Sequence, residues 1–222
     1  MKADIFDLAY ALEILPTLLS ALRITVQATF LGMALAVVLG LLLALARRAP
    51  WRVVSWPVGF LIEFVRSTPL LVQMFFLFYV LPSWGFKLSA VTTGTLALGL
   101  QYSAYGAEVF RAGLDAVPRG QLEAAKALNL TSWRTITDVV LPQAIPPVIP
   151  ALGNYLIAMF KDTPLLSAIT VVEVLQQSKI IGSNTFRYIE PFTLVGLLFL
   201  VVSLIAAWGV RRLERRLNRK VA

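Results

Sequence analysis

Pro118 to Pro142 reads PRGQLEAAKALNLTSWRTITDVVLP, the longest polar interruption in an otherwise apolar chain. Its composition is helical rather than disordered. Pro118 suits a first helical turn, where its missing N–H is not needed. Gln121 to Leu128 are nearly all good helix formers, with Leu122, Ala125 and Leu128 on one face. Asn129 then breaks the helix, because asparagine tolerates the left-handed conformation of a helix end. Thr131 or Ser132 can cap a second short helix whose apolar side is Trp133, Ile136 and Val140. Pro142 closes the loop. The expectation is two short amphipathic helices at a sharp bend between two membrane segments. Such a loop either packs on its own domain or offers itself to a partner. Alanines 124, 125 and 127 leave backbone open to close approach, which fits helix-in-groove docking.

The rest of the chain sets the environment. Of 222 residues, 58% are hydrophobic and 14% charged, which places the chain in the membrane class. There is no Cys and no His, so disulfides, thiol chemistry and histidine bases or metal ligands are excluded. No nucleophile–base set has a recognisable spacing, and neither a catalytic nor a metal site is expected. A bilayer span needs about 20 apolar residues. Five spans are expected, at about 17–46, 53–81, 88–110, 143–169 and 191–210, with the polar loop at 113–142. Residues 1–16 form an extracytoplasmic segment without the basic start of a signal peptide, and 213–222 a basic cytoplasmic tail. In Thr170–Glu190, Gly182, Ser183 and Asn184 mark a turn.

Basic residues set the orientation. Segments after spans one, three and five hold 13 of the 20, from Arg47 and Arg48 to Arg219 and Lys220. The opposite side has Lys2, Lys87, Lys179 and Arg187. The N-terminus is therefore expected outside and the C-terminus in the cytoplasm. The net charge of +8 then reads as an orientation signal and an anionic-lipid contact rather than nucleic-acid binding.

Polar residues within spans suggest a passage. Phe60–Leu71, FLIEFVRSTPLL, and Tyr155–Leu166, YLIAMFKDTPLL, share a basic-x-Thr-Pro-Leu-Leu pattern at a constant offset, as a parallel internal repeat would. Each proline frees backbone groups, tolerated at membrane depth where they line a cavity or are buried in protein. Arg66, Thr68, Asn154, Lys161, Asp162 and Thr163 are the candidate path residues. Plainer roles stand beside this. Glu63 and Arg66 can pair at i, i+3, and Asn154 and Tyr155 can serve helix packing.

The run Glu123-Ala124-Ala125, then Asn129, then Val139-Val140-Leu141-Pro142 resembles the coupling ("EAA") loop of ABC importer permeases, with Asn129 where that family normally has Gly. FVRSTPLLVQ, AEVFRAGLDAVPRGQ and KDTPLLSAI are similar to the polar amino-acid branch of type I importers. ALGNYLIAMFKDTPLLSAITVVEVLQQ and EPFTLVGLLFLVVS look most like permeases for ectoine or hydroxyectoine. The resemblance implies an all-α ABC type-1 transmembrane domain in a bacterial inner membrane. It implies a coupling set of Gly120, Glu123, Ala124, Ala125, Asn129 and Pro142. It also implies partners: an ATPase dimer that binds ATP and magnesium, a second permease and an extracytoplasmic solute-binding protein. No cofactor is expected on this chain, which has no P-loop. The substrate is expected to be a small zwitterion, ectoine or, as the alternative, a polar amino acid such as glutamine, glutamate or a basic one. An ATPase-independent channel or a membrane scaffold is the alternative of a different class.

Overall fold

The computed structural model describes residues 6–218. Lys2, Asp4, Arg219 and Lys220, and with them the extreme ends of the 1–16 segment and the 213–222 tail, lie outside the described residues. Among the described residues every regular element is helical.

Helix α1 runs Leu8–Arg47. Asp7 caps it, its carboxylate accepting from the Tyr10 N–H at 3.1 Å. The helix therefore begins ahead of Thr17, and Pro16 is carried inside it. Every fourth residue from Ala28 to Ala44 is a buried alanine or glycine. This stripe lets α1 pack closely against α4 (Ala90–Asp115). A Cβ added at Gly40 would stand 3.0 Å from the Ser103 carbonyl oxygen and 3.2 Å from the Ala107 nitrogen.

Helix α2 (Arg52–Ser67) does not continue as one straight span. Proline disfavours helical backbone in the residue before it. Thr68 accordingly lies at φ −97, ψ 131, and the chain turns by 103° into α3 (Leu70–Phe75) and the turns that follow to Trp84. Gln73 holds the corner, donating from Nε2 to the carbonyls of Val65 at 2.9 Å and Thr68 at 3.1 Å.

Three helical stretches are long and apolar enough to cross a membrane, Leu8–Arg47, Ser132–Ile169 and Ile189–Leu217, and the bent α2–α3 pair makes a fourth if counted as one span. The expected third span, 88–110, is different in kind. As α4 it buries Thr93, Gln101, Tyr102 and Ser103 among the other helices. A helix shielded from lipid can carry such groups, because its neighbours rather than lipid receive them.

The polar loop also differs from expectation. Helix α5 (Arg119–Ala127) is as read, but the second helix does not stop at Pro142. A short α6 (Ser132–Arg134) passes through a π-helical stretch, Thr135–Val140, into α7 (Leu141–Asp162). Wider i→i+5 turns accompany the proline, whose ring and missing N–H do not fit the ordinary ladder. Helix α8 (Val174–Thr185) includes Gly182, Ser183 and Asn184, and the reversal falls at Phe186, φ 55. Gly182 serves packing rather than a turn, since a Cβ there would lie 2.5 Å from the Tyr188 ring. Helix α9 is Ile189–Asn218.

The start of α1 is tied to the start of α9. Arg187 donates to Glu190 at 2.7 Å and to Asp7 at 3.2 Å, and its guanidinium lies 4.1 Å from the Tyr10 ring centre. The Tyr10 N–H and then Arg187 hold the Asp7 carboxyl below its usual range. The Asp7 N–H in turn donates to Glu190 Oε1 at 3.0 Å.

Candidate functional site

The Pro69 corner, α4 and α7 border an open cavity of about 580 Å³. Its wall from α2 and the corner includes Arg66, Ser67 and Thr68. Helix α4 contributes Gln101, Tyr102 and Tyr105, and α7 contributes Tyr155 and Asp162. The three tyrosine rings pack together, with centroids 5.7 to 6.0 Å apart. Aromatic faces of this kind attract cations. The Tyr102 hydroxyl donates to Asp162 Oδ2 at 2.8 Å, fixing the carboxylate at the cavity wall. Gln101 donates to the Tyr105 hydroxyl at 3.0 Å and its own oxygen faces Gln73 Nε2. The Arg66 guanidinium lies 5.8 Å from the Tyr105 ring centre. Its Nη1 pairs with Glu63 at 3.2 Å, and its Nε is buried without a partner. The cavity thus offers a carboxylate, a guanidinium and aromatic faces, the complement of a small zwitterion.

Of the expected path residues, Arg66, Thr68 and Asp162 line this cavity and Asn154, Lys161 and Thr163 do not. Adjacent helical residues point about 100° apart, so Asp162 facing inward sends Lys161 outward, where it is exposed. Thr163 is buried, its hydroxyl donating to the Phe160 carbonyl at 2.7 Å. Asn154 is exposed on α7 and lies outside the cavity lining. Sequence reasoning missed Gln73, Gln101, Tyr102 and Tyr105. The signal available was the spacing of Gln101, Tyr102 and Tyr105, polar tips at i, i+1 and i+4 within an apparently plain span.

The two Thr-Pro-Leu-Leu segments converge on this site. Leu70 and Leu166 lie in one buried cluster, and Ser67 and Asp162, equivalent in the repeat, both line the cavity. Their backbones differ. Thr163 stays helical at φ −58, ψ −28, and a 3-10 turn, Thr163–Ile169, follows. The position equivalent to Gln73 is Ala168, which has no amide to stabilise a corner.

The residues expected to form the coupling loop lie on a separate surface. Asn129 has φ 53. The Leu130 N–H donates to Ala125 O at 3.0 Å and the Asn129 N–H to Lys126 O at 2.9 Å, the paired bonds of a Schellman helix end. Thr131 caps the next helix by accepting from the Arg134 N–H. Glu123, Ala124, Asn129 and Pro142 are exposed, and Ala125 is buried. Nothing lies within 4 Å of a Cβ built at Gly120. Leu128 and Trp133, expected on the apolar faces of the two helices, are 74% and 73% exposed. The loop is firmly built yet turns apolar side chains away from its own domain. Upstream of it, Arg111 bonds Glu108 at 2.6 Å and Asp115 at 3.2 Å, and Arg48 at the end of α1 pairs with Asp115.

Comparison with known proteins gives concordant results. Residues 36–219 match the family described as "Binding-protein-dependent transport system inner membrane component". A probable amino-acid ABC transporter permease protein, y4tG of Sinorhizobium fredii, is 52% identical over 96% of this chain and 93% of its own length. The glutamine transport system permease protein GlnP of Escherichia coli is 32% identical over 96% and 98%. A crystal structure of an amino acid ABC transporter with histidines superposes at TM-score 0.89 with 36% identity, covering 95% of this chain and 99% of that one. The MetNI methionine transporter, inward facing, shares the fold at TM-score 0.68 and 19% identity, covering 96% and 99%.

Proposed function

The chain belongs to the family of binding-protein-dependent transport system inner membrane components, and we propose that it is the permease subunit of an ATP-driven importer that passes a polar amino acid through the cavity between α2, α4 and α7. The observation that carries the reading is the pairing of that cavity with the outward-facing loop. Helix α4, which carries Gln101, Tyr102 and Tyr105, leads within a few residues into α5. The helix that starts at Ser132, on the other side of Asn129, runs without a break to Asp162. A displacement of the loop is therefore delivered to two walls of the cavity at once.

In this reading the amino acid's ammonium group faces Asp162 and the tyrosine rings, and its carboxylate faces Arg66. Gly120, Glu123, Ala124, Ala125, Asn129 and Pro142 belong to the surface received by an ATPase dimer, where ATP and magnesium act. A solute-binding protein delivers the substrate on the side of the N-terminus, and a second permease, identical or related, completes the path across the inner membrane. ATP moves the equilibrium only because it binds the two states with different affinity.

The relatives named for amino-acid transport support an amino acid over ectoine. Both solutes are zwitterions, so the cavity's charges suit either, and uptake decides. Deletion of the gene should abolish entry of one or more of labelled glutamine, glutamate and arginine and leave ectoine entry intact. Restoration by the wild-type gene and not by Glu123→Lys supports ATPase coupling. Loss of ectoine entry alone overturns the amino-acid reading, and full activity of Glu123→Lys favours a channel that needs no ATPase.

A further inference from the structure

The basic end of α9 carries a cluster that transport leaves unused. Trp208, Arg211, Arg212, Arg215 and Arg216, all on one side of α9, border an open groove of about 490 Å³. The Arg212 guanidinium stands 5.1 Å from the Trp208 ring centre. Among the described residues none of these arginines lies within 4.0 Å of a carboxylate. Glu214 is close in sequence, but at 100° per residue it falls off the face that Trp208, Arg212 and Arg215 share.

The same face continues up the helix as an apolar stripe. Leu197, Val201, Leu204 and Trp208 recur at three- and four-residue steps and are 50%, 51%, 56% and 57% exposed. Hydrocarbon, then an indole, then unopposed guanidiniums is the order met along a phospholipid from acyl chain to phosphate. Helix-end electrostatics accounts for basic residues in the last turn. It does not account for Arg211 and Arg212 further in, nor for their alignment with the stripe. Guanidinium groups suit phosphate because their forked donors match its oxygens.

We propose that this face binds an anionic phospholipid, its phosphate held between Arg212 and Arg215 and an acyl chain laid along Leu204, Val201 and Leu197. Indole packing against Arg212 holds that guanidinium at the boundary between hydrocarbon and headgroup. The site is independent of the amino-acid path, and its occupancy is read without transport.

The test uses the purified full-length chain in nanodiscs of zwitterionic lipid doped with brominated phosphatidylglycerol or brominated phosphatidylcholine. Tryptophan fluorescence is followed, and Trp208→Phe identifies that residue's share among the five tryptophans. Trp208 should be quenched at a lower mole fraction of the anionic lipid. The double variant Arg212→Gln/Arg215→Gln should raise that mole fraction roughly thirtyfold, about fivefold for each charge near a membrane surface. Lysine at both positions keeps most of the preference and shows that the fold is intact. Equal quenching by the two lipids, or an unshifted double variant, overturns the proposal. Displacement by inorganic phosphate alone would make it a free-phosphate site and overturn the lipid. Loss of a co-purifying protein with lipid quenching unchanged would make the face a protein contact and overturn it equally.

Discussion

Asn129 sets the end of α5 with a left-handed backbone at φ 53, and its replacement makes a quantitative test of the loop. An L-residue with a Cβ and no local polar compensation costs about 1–2 kcal/mol in that conformation. Asn129→Ala should therefore weaken the helix end by this amount, roughly a 5- to 30-fold change in the opening equilibrium. Glycine carries no steric term and costs at most about 1 kcal/mol of chain entropy, so Asn129→Gly should stay nearer to wild type than alanine does. Proline fixes φ near −65° and removes the N–H that donates to Lys126 O, so Asn129→Pro should abolish the motif at a cost of about 3 kcal/mol or more. The effect should be local, because Ala125 is the one buried residue of α5. Amide hydrogen exchange of the Gln121–Leu130 segment in detergent reads it directly. Protection should fall in the order glycine or wild type, alanine, proline, while amides of α1 and α4 keep theirs. Wild-type protection in Asn129→Ala would refute the reasoning, since the left-handed turn would then carry no cost.

Three further outcomes follow from the geometry. Asp162→Asn keeps an acceptor for the Tyr102 hydroxyl but loses the charge, which should raise the half-saturating amino-acid concentration for uptake by about 5- to 30-fold, the roughly 1–2 kcal/mol separating charged from neutral hydrogen bonds; Tyr102→Phe, which leaves the carboxylate charged, should cost less. Gly40→Val drives side-chain atoms into the backbone of α4 and should lower thermal stability in detergent by about 1–3 kcal/mol, whereas Gly196→Val, with nothing within 4 Å, should be near neutral. The Asp7 carboxyl is held below its ordinary value of 3.8, so its pairing with Arg187 stabilises the fold above that value and is lost as pH falls through the lowered folded one; the melting-temperature gap between wild type and Arg187→Gln should be larger at neutral pH and narrow in acid.

Features fixed by backbone chemistry were the most legible in the sequence. Asn129 announced a left-handed helix end, Thr131 or Ser132 a cap, and Pro69 a disturbed span, because each acts on the backbone beside it whatever surrounds it. The direction of the chain after Pro69 was not legible, since the 103° turn depends on where Gln73 finds acceptors. Pro142 misled for the same reason: a proline ends a helix or widens it according to the packing beyond. The site was half legible. Arg66, Thr68 and Asp162 stood out as polar groups in apolar runs, but which of Lys161, Asp162 and Thr163 faces inward depends on the rotation of α7 against α4. Tyr102 and Tyr105 passed as span residues because a tyrosine ring is at home in a membrane helix until a neighbouring carboxylate gives its hydroxyl a role.

The most direct test of the account uses the absence of cysteine from the chain. Ser67 is exposed at the cavity wall, so Ser67→Cys supplies one thiol there. Its alkylation by a small maleimide is timed in the reconstituted transporter with and without amino acids or ectoine. The transported amino acid should slow the reaction, ectoine should not, and Asp162→Asn should weaken the protection. An alkylation rate that no amino acid alters, or one that ectoine alone slows, would contradict the account.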